Sequence, residues 1–144
     1  MASSQQIERY IMADLVGLIT AASISNVVDQ DSEQPKVATL VVVRCLNLRS
    51  NLAGETVPIG MRQADMAVDC YSYFDDDKNG NALNTLVASV RAVVYNSSIV
   101  ANLNSQSSFF TYLGMMAGDD LPDEEERYRI KSIQFSLVMR PATS

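Results

Sequence analysis

The 144-residue sequence contains no histidine and no tryptophan. Without histidine, the chain lacks the usual general base near neutral pH, the commonest zinc ligand and every catalytic arrangement that pairs histidine with serine or cysteine. It also contains no Walker loop, GxSxG or GxGxxG motif, so nucleotide-binding and acyl-transfer chemistry have no support. We therefore expect a protein that is not an enzyme, with no catalytic residues, no cofactor and no metal.

Cysteine, basic residues and long apolar runs are also scarce. The two cysteines, Cys45 and Cys70, lie in strand-like apolar segments, so we expect buried thiols that could face each other on neighbouring strands. Eleven basic against 17 acidic residues give a net charge of -6, which argues against a surface that binds nucleic acid phosphates. No apolar run reaches the ~18 residues of a membrane span, and the amino terminus does not resemble a signal peptide.

The sequence does contain clear helical and strand-like periodicity. Apolar residues recur at helical spacing over 4–20 and 83–94, which predicts two amphipathic helices. A turn or short helix is expected around 99–103. Runs that are β-branched or alternate between apolar and polar residues predict strands at 24–28, 37–46, 66–74, 109–116 and 127–139.

This order predicts an α+β fold: a mostly antiparallel sheet of four to five strands with two helices packed on one face. We expect a single domain, 1–144, from which a long arm loop at 47–61 and an acidic loop at 118–126 project. The positions with consistent periodicity predict a core that contains Val41, Val43, Val68, Cys70, Phe135 and Leu137, together with Leu86 of the second helix.

One short motif suggests a cation site. The pattern DxDxNG at 75–80 reproduces the first half of an EF-hand calcium loop. The twelfth position, however, is Leu86, where a bidentate glutamate is needed. The pattern is more typical of a solvated strand-to-helix turn with Asn81 as the N-cap. A small cation-dependent binding module that uses this turn is the alternative function.

Two polar segments are candidates for an interface or for the lining of a lumen. Six acidic residues within 119–126 are typical of a solvated loop, and they could also contact a basic partner or repel DNA. The last predicted strand carries polar residues on the face opposite its apolar ones. The candidate residues are Asp119, Asp120, Asp123, Glu124, Glu125, Glu126, Ser132, Gln134 and Ser136.

The order of elements as a whole resembles a known family. An amphipathic first helix and a long loop precede a strand that leads through an acidic turn into an Ala/Val-rich helix, 66–95. An Asn102-Leu103-Asn104 segment and an arginine-containing closing strand, 126–135, follow. This layout, from about Ile7 to Arg140, is similar to that of the tail terminator, or neck, proteins of long-tailed bacteriophages, which are small α+β domains.

The resemblance implies a structural virion protein of the tail or neck, made in the host cytoplasm. Six copies would form a ring that caps the finished tail tube, stops its growth and joins it to the head connector. The implied partners are other copies of the chain, the tail tube protein and a head completion or connector protein. DNA would pass through without specific binding, and no membrane would be involved. The arm at 47–61 could reach a neighbouring subunit.

Overall fold

The computed structural model describes residues 4–32, 37–50, 61–107, 109–125 and 128–141. Nine elements follow one another along these residues, one of them a short 3₁₀ turn at Phe74–Asp76. The helices are α1 (Ser4–Ala21), α2 (Asn81–Val94) and α3 (Ile99–Gln106). The strands are β1 (Val27–Asp29), β2 (Thr39–Ser50), β3 (Arg62–Tyr73), β4 (Phe110–Glu125) and β5 (Tyr128–Pro141).

The five strands form one sheet in the order β1-β2-β3-β5-β4. The short strand β1 runs parallel to β2, and the other three pairs are antiparallel. The prediction of an α+β fold with a mostly antiparallel sheet is therefore confirmed.

Three helices, rather than the two that were expected, pack on one face of this sheet. The segment predicted as a turn or short helix forms α3, whose Ile99 and Leu103 are buried. Eight residues are too few for a helix that is stable alone, so burial of this one apolar edge stabilises α3. All three helices contribute to one hydrophobic core with the strands.

The core agrees with the predicted positions. Val41, Val43, Val68, Cys70, Phe135 and Leu137 are all buried in it. The prediction is only partly right for α2, because Leu83, Val87, Val90 and Val94 are buried whereas Leu86 is half-buried at the edge of the core.

A buried polar link attaches the helices to β4. The Tyr112 hydroxyl donates a hydrogen bond of 2.7 Å to Oδ2 of Asp14 in α1. The Asn104 side chain in α3 accepts from the Tyr112 amide at 2.6 Å and donates to its carbonyl at 3.1 Å. Burial raises the pKa of Asp14, although the hydrogen bond from Tyr112 acts in the opposite direction.

The predicted arm at 47–61 begins as strand. A bulge between Cys45 and Asn47 inserts one extra residue into β2. Beyond the bulge the pairing with β3 resumes, and Leu48 packs against the core. The arm prediction is therefore wrong for 47–50, and 51–60 lie outside the described residues.

The predicted loop at 118–126 is also strand, because β4 pairs with β5 as far as Glu125. A bulge between Ala117 and Asp120 lies within this pairing. A Cβ atom on Gly118 would lie 2.7 Å from the Gln134 carbonyl oxygen, so the bulge needs a residue without a side chain. Main-chain pairing therefore holds a segment whose side chains are mostly acidic.

No single helix among the described residues is long and apolar enough to cross a membrane. As a pair bent by 82°, α2 and α3 pass the same test of length and composition. Apolar side chains of this pair, such as Val87 and Leu103, are buried in the core.

Candidate interaction surface on the open face of the sheet

The sheet has one face that no described helix covers, and we call it the open face. Along β5, Ile133, Phe135 and Leu137 lie in the core beneath the helices. Successive side chains of a strand point to opposite faces, so Ser132, Gln134 and Ser136 lie on the open face. The structure therefore brings these three predicted residues together along a central strand, as their alternation indicated.

An ion pair that the sequence analysis did not single out lies beside them. Nε of Arg44 in β2 is 2.6 Å from Oδ2 of Asp69 in β3. Nη2 of Arg44 also donates a hydrogen bond to Oδ1 of Asp69 at 3.2 Å, so the guanidinium contacts both carboxylate oxygens. The Asp69 side chain is only 6% exposed, whereas that of Arg44 is 39% exposed. The guanidinium therefore compensates a carboxylate that is buried within the sheet.

A second polar cluster lies farther along the open face. The Asp65 carboxylate accepts hydrogen bonds of 2.9 Å from Arg49 and of 2.7 Å from the Ser136 hydroxyl. Burial raises the pKa of Asp65, but the hydrogen bonds from Ser136 and Arg49 outweigh it and lower the pKa below its ordinary value. Ser136 is thus held in place by β3 instead of being free for a partner.

A shallow depression of about 380 Å³ lies on this face around the first ion pair. The Ser132 hydroxyl is buried there and has no hydrogen-bond partner among the described residues. The carboxylate in the depression is paired with a guanidinium, so it offers no free base. The lining combines polar side chains with a few apolar ones, a mixture that also occurs in protein contact surfaces. The lining residues are Arg44, Asp69, Tyr71, Leu121, Pro122, Ile130, Ser132 and Gln134.

Asp120 does not belong to a solvated patch. Its carboxylate lies 3.1 Å from Nη1 of Arg91 in α2 and accepts a hydrogen bond of 3.4 Å from the Tyr95 hydroxyl. The side chain is only 14% exposed. Burial, and then the negative charge of Asp120, raise the pKa of Tyr95. Asp120 therefore fastens β4 to α2 on the helix-covered side, and its prediction as part of a solvated loop is wrong.

The other acidic residues have different positions. Asp119 is exposed in the bulge of β4. The backbones of Asp123, Glu124 and Glu125 pair with β5, and Glu126 lies outside the described residues. The acidic run is therefore not a single loop, because the backbone of 119–125 belongs to an edge strand.

In the turn at 75–80, the Asp77 carboxylate accepts hydrogen bonds from the protein and is therefore not free to bind a cation. Oδ1 of Asp77 accepts from the Ala82 amide at 2.9 Å, and Oδ2 accepts from the Leu83 amide at 3.0 Å and the Ser72 hydroxyl at 2.7 Å. Asp77 is 5% exposed, so this part of the turn is not solvated as expected. The side chain of Asp77, rather than that of Asn81, satisfies the free amides of the α2 N-terminus.

The two cysteines do not face each other. Cys45 is paired with Met66, and Cys70 with Val41, in different rows of the β2-β3 ladder. Burial raises the pKa of Cys70 to about 12 and that of the half-buried Cys45 to about 11. Both are therefore protonated thiols of low reactivity at neutral pH.

A second depression, of about 460 Å³, lies between α2 and the start of β2, and its lining includes no charged side chain. The described residues contain no group of three histidine, cysteine, aspartate or glutamate residues that could hold a metal ion.

Comparison with known proteins gives matches in structure only. No protein-family model and no curated protein matches the chain. The fold is similar to that of a chain in the virion of a native gene transfer agent (GTA) particle, with a TM-score of 0.58 and 14% identity over 94% of this chain and 93% of that chain. A second solved chain, whose name states no function, has a TM-score of 0.49 and 11% identity over 100% of this chain and 99% of that chain. Similarity at such identity shows the fold alone.

Proposed function

We propose that this chain is a structural virion protein that acts as a tail terminator: copies of it form a ring that caps the tail tube and joins it to the head connector. The observation that carries the proposal is the fold shared with a chain of the GTA virion over nearly the full length of both proteins. The order of helices and strands from which the family resemblance was drawn agrees with it.

The surface of the fold supports an assembly role rather than catalysis. The open face combines a shallow depression with paired charges, and among the described residues of its lining the one carboxylate is held by a guanidinium and does not act as a free base. A ring needs heterologous contacts, in which one surface of a subunit meets a different surface of the next. The open face and the two edges of the sheet provide such different surfaces on one small domain.

The acidic charge supports the passage of DNA through the ring. With -6 per chain, a ring of six carries about -36. Binding to DNA requires cationic groups that release counterions from the phosphates, and a strongly acidic ring lacks this driving force. DNA would then slide past the surface.

The alternative, a cation-dependent binding module at 75–80, loses support from the contacts of Asp77. Both carboxylate oxygens of Asp77 are occupied by hydrogen bonds from the helix and from Ser72. A calcium ion would have to replace these contacts, and Leu86 supplies no ligand at the twelfth position.

Deletion of the gene from the parent phage genome, followed by electron microscopy of the lysate, tests the proposal. We expect unjoined heads and tails longer than normal, with normal particles restored by the wild-type gene supplied in trans. Mass spectrometry of purified wild-type particles should detect the chain at about six copies per particle. Normal particles after deletion, or absence of the chain from purified particles, would refute the proposal. Tails of normal length that stay unjoined would support the joining role and refute the terminating role.

A further inference from the structure

Exposed apolar side chains are concentrated on one edge of the sheet. Four of the five large hydrophobic side chains that are exposed among the described residues are Phe109, Leu113, Met116 and Leu121, and the fifth is Leu46. The strand β4 is the last of the sheet, so its outer edge pairs with no described strand. From Phe110 to Ala117 this edge has no charge and no proline, so it lacks two of the usual protections against pairing with another strand. A bulge between Tyr112 and Gly114 lies within this segment, and the run from Gly114 to Ala117 follows it without a further bulge.

A second unpaired edge belongs to β2. The strand β1 pairs with β2 only at Val41, Val42 and Val43. Beyond the bulge, no described strand pairs with the outer edge of 47–50. This edge begins beside Leu46, which is 45% exposed.

These two edges lie at the same position along the strand direction, on opposite sides of the sheet. One row of paired residues joins Asn47 of β2 to Met116 of β4 through one residue each of β3 and β5, and a second row joins Ser50 to Tyr112. Because β2, β3, β5 and β4 are successively antiparallel, β4 runs opposite to β2. A second copy that continues the sheet sideways would therefore set its β2 edge antiparallel to β4, with Asn47 opposite Met116.

The two strands carry charges of opposite sign, and the arginines of β2 are already paired with Asp69 and Asp65 of the same copy. The strand β2 contains Arg44 and Arg49 and no acidic residue, whereas β4 contains five acidic residues and no basic one. Arg44 lies in the row of Gln134, which meets β4 at its bulge, where Asp119 is exposed. Apolar side chains and unpaired main-chain groups therefore lie at the same level on both edges, and no uncompensated like charges oppose each other there.

The Asn104 side chain occupies the amide and the carbonyl of Tyr112, so the free part of the β4 edge begins at Leu113. We propose that neighbouring copies join edge to edge, with the outer edge of β4 at 113–116 pairing with the outer edge of β2 at 47–50 of the next copy. This inference rests on the proposed ring. The contact joins two different surfaces of the subunit, so it is the heterologous kind of contact that a ring requires. The occupant of the apolar edge of β4 is a second copy of this chain.

Disulfide cross-linking inside purified particles tests the pairing. The particles are made with the double variant Asn47→Cys and Met116→Cys, or with Asn47→Cys and Gly114→Cys to allow for a shift of two residues. Opposed residues in antiparallel strands have Cα atoms ~4.5–5.5 Å apart, within the reach of a disulfide. We expect mild oxidation to give a ladder of covalent oligomers. The control, Asn47→Cys with Ala88→Cys on the exposed side of α2, should give no ladder.

The outcomes separate the two proposals. Particles that contain the chain but give no ladder with either double variant would refute the edge pairing and leave the terminator function intact. A chain that is absent from particles would refute the function, and the pairing with it.

A charge substitution gives an independent readout. Met116→Lys places an ammonium group, with no partner, in the proposed interface, and we expect about tenfold or greater weakening of incorporation into particles. Thermal melting of the free protein should stay unchanged, because Met116 is 51% exposed. The exposed helix variant Ala88→Lys should be incorporated normally. Equal incorporation of the two lysine variants would contradict the pairing.

Discussion

Replacement of Asp77 by alanine should destabilise the protein far more than is expected for an acidic residue in a solvated turn. The carboxylate accepts from two amides of the first turn of α2, and loss of such a cap costs about 0.5–2 kcal/mol. The substitution also leaves the fully buried Ser72 hydroxyl without its acceptor, which costs about 1–3 kcal/mol more. We therefore expect a loss of roughly 2–4 kcal/mol in the free energy of unfolding.

Urea denaturation measures this loss. With a slope of about 2 kcal/mol per molar urea, the midpoint of Asp77→Ala should fall by about 1–2 M relative to the wild type. Asp76→Ala is the matched control, because Asp76 is adjacent in sequence and exposed. Equal unfolding free energies for the two variants would refute the assignment of Asp77 as the cap.

The pH dependence of the same variant adds a second check. Burial raises the pKa of Asp77, but hydrogen bonds from Ala82, Ser72 and Leu83 outweigh it and hold the pKa below the ordinary 3.8. A lowered pKa in the folded state stabilises the protein above the unfolded pKa, and the benefit is lost as the pH falls through the folded pKa. The difference in stability between wild type and Asp77→Ala should therefore shrink below about pH 4.

Three further predictions concern the core, the bulge and the buried link. Phe135→Ala should lower the free energy of unfolding, measured in urea, by about 3–5 kcal/mol. The control Phe109→Ala removes an exposed ring that stacks on one other ring, and it should lower the free energy of unfolding by about 1 kcal/mol. Equal losses would mean that the core is misplaced. Gly118→Ala should lower the thermal midpoint because its Cβ meets a carbonyl oxygen at 2.7 Å, while Gly114→Ala, with open space around it, should not. Burial raises the pKa of Asp14, so the free energy of unfolding should fall as the pH rises from 3.8 through the pKa of the folded state. Asp14→Asn should remove that decline. The same pH profile in the variant and the wild type would contradict the burial of Asp14.

The helices and most strands could be predicted from sequence because burial imposes a period on their apolar residues. In β5 the alternation of Ile133, Phe135 and Leu137 with polar residues identified both the strand and the face that the helices cover. The predicted open-face positions of Ser132 and Gln134 followed from the same alternation. Periodicity therefore identified the surface that carries the candidate site, and the role of that surface stays a prediction.

Contacts that depend on the register between strands leave no periodic signal in the sequence. The ion pair between Arg44 and Asp69 joins two strands 25 positions apart, and only their alignment brings the side chains together. The burial of Asp77 was also missed, because an oxygen-rich turn has the same composition whether it binds a cation, faces water or caps a helix. The strand after Gly118 escaped detection because its main-chain pairing with β5 does not require apolar side chains.

The composition of β4 divides its outer edge into two parts with different consequences for assembly. The first part, Phe110 to Ala117, is uncharged and can approach another strand at little electrostatic cost. The second part contains all five acidic residues of the strand and Pro122, which lacks an amide donor. Charges and proline on an edge oppose indefinite sheet pairing. In the proposed ring, the unpaired β2 edge at 47–50 limits the contact to four residues per subunit, and these lie opposite the uncharged part of β4. Asp119, which is exposed in the bulge, would then lie just outside the contact, where its charge opposes extension of the pairing.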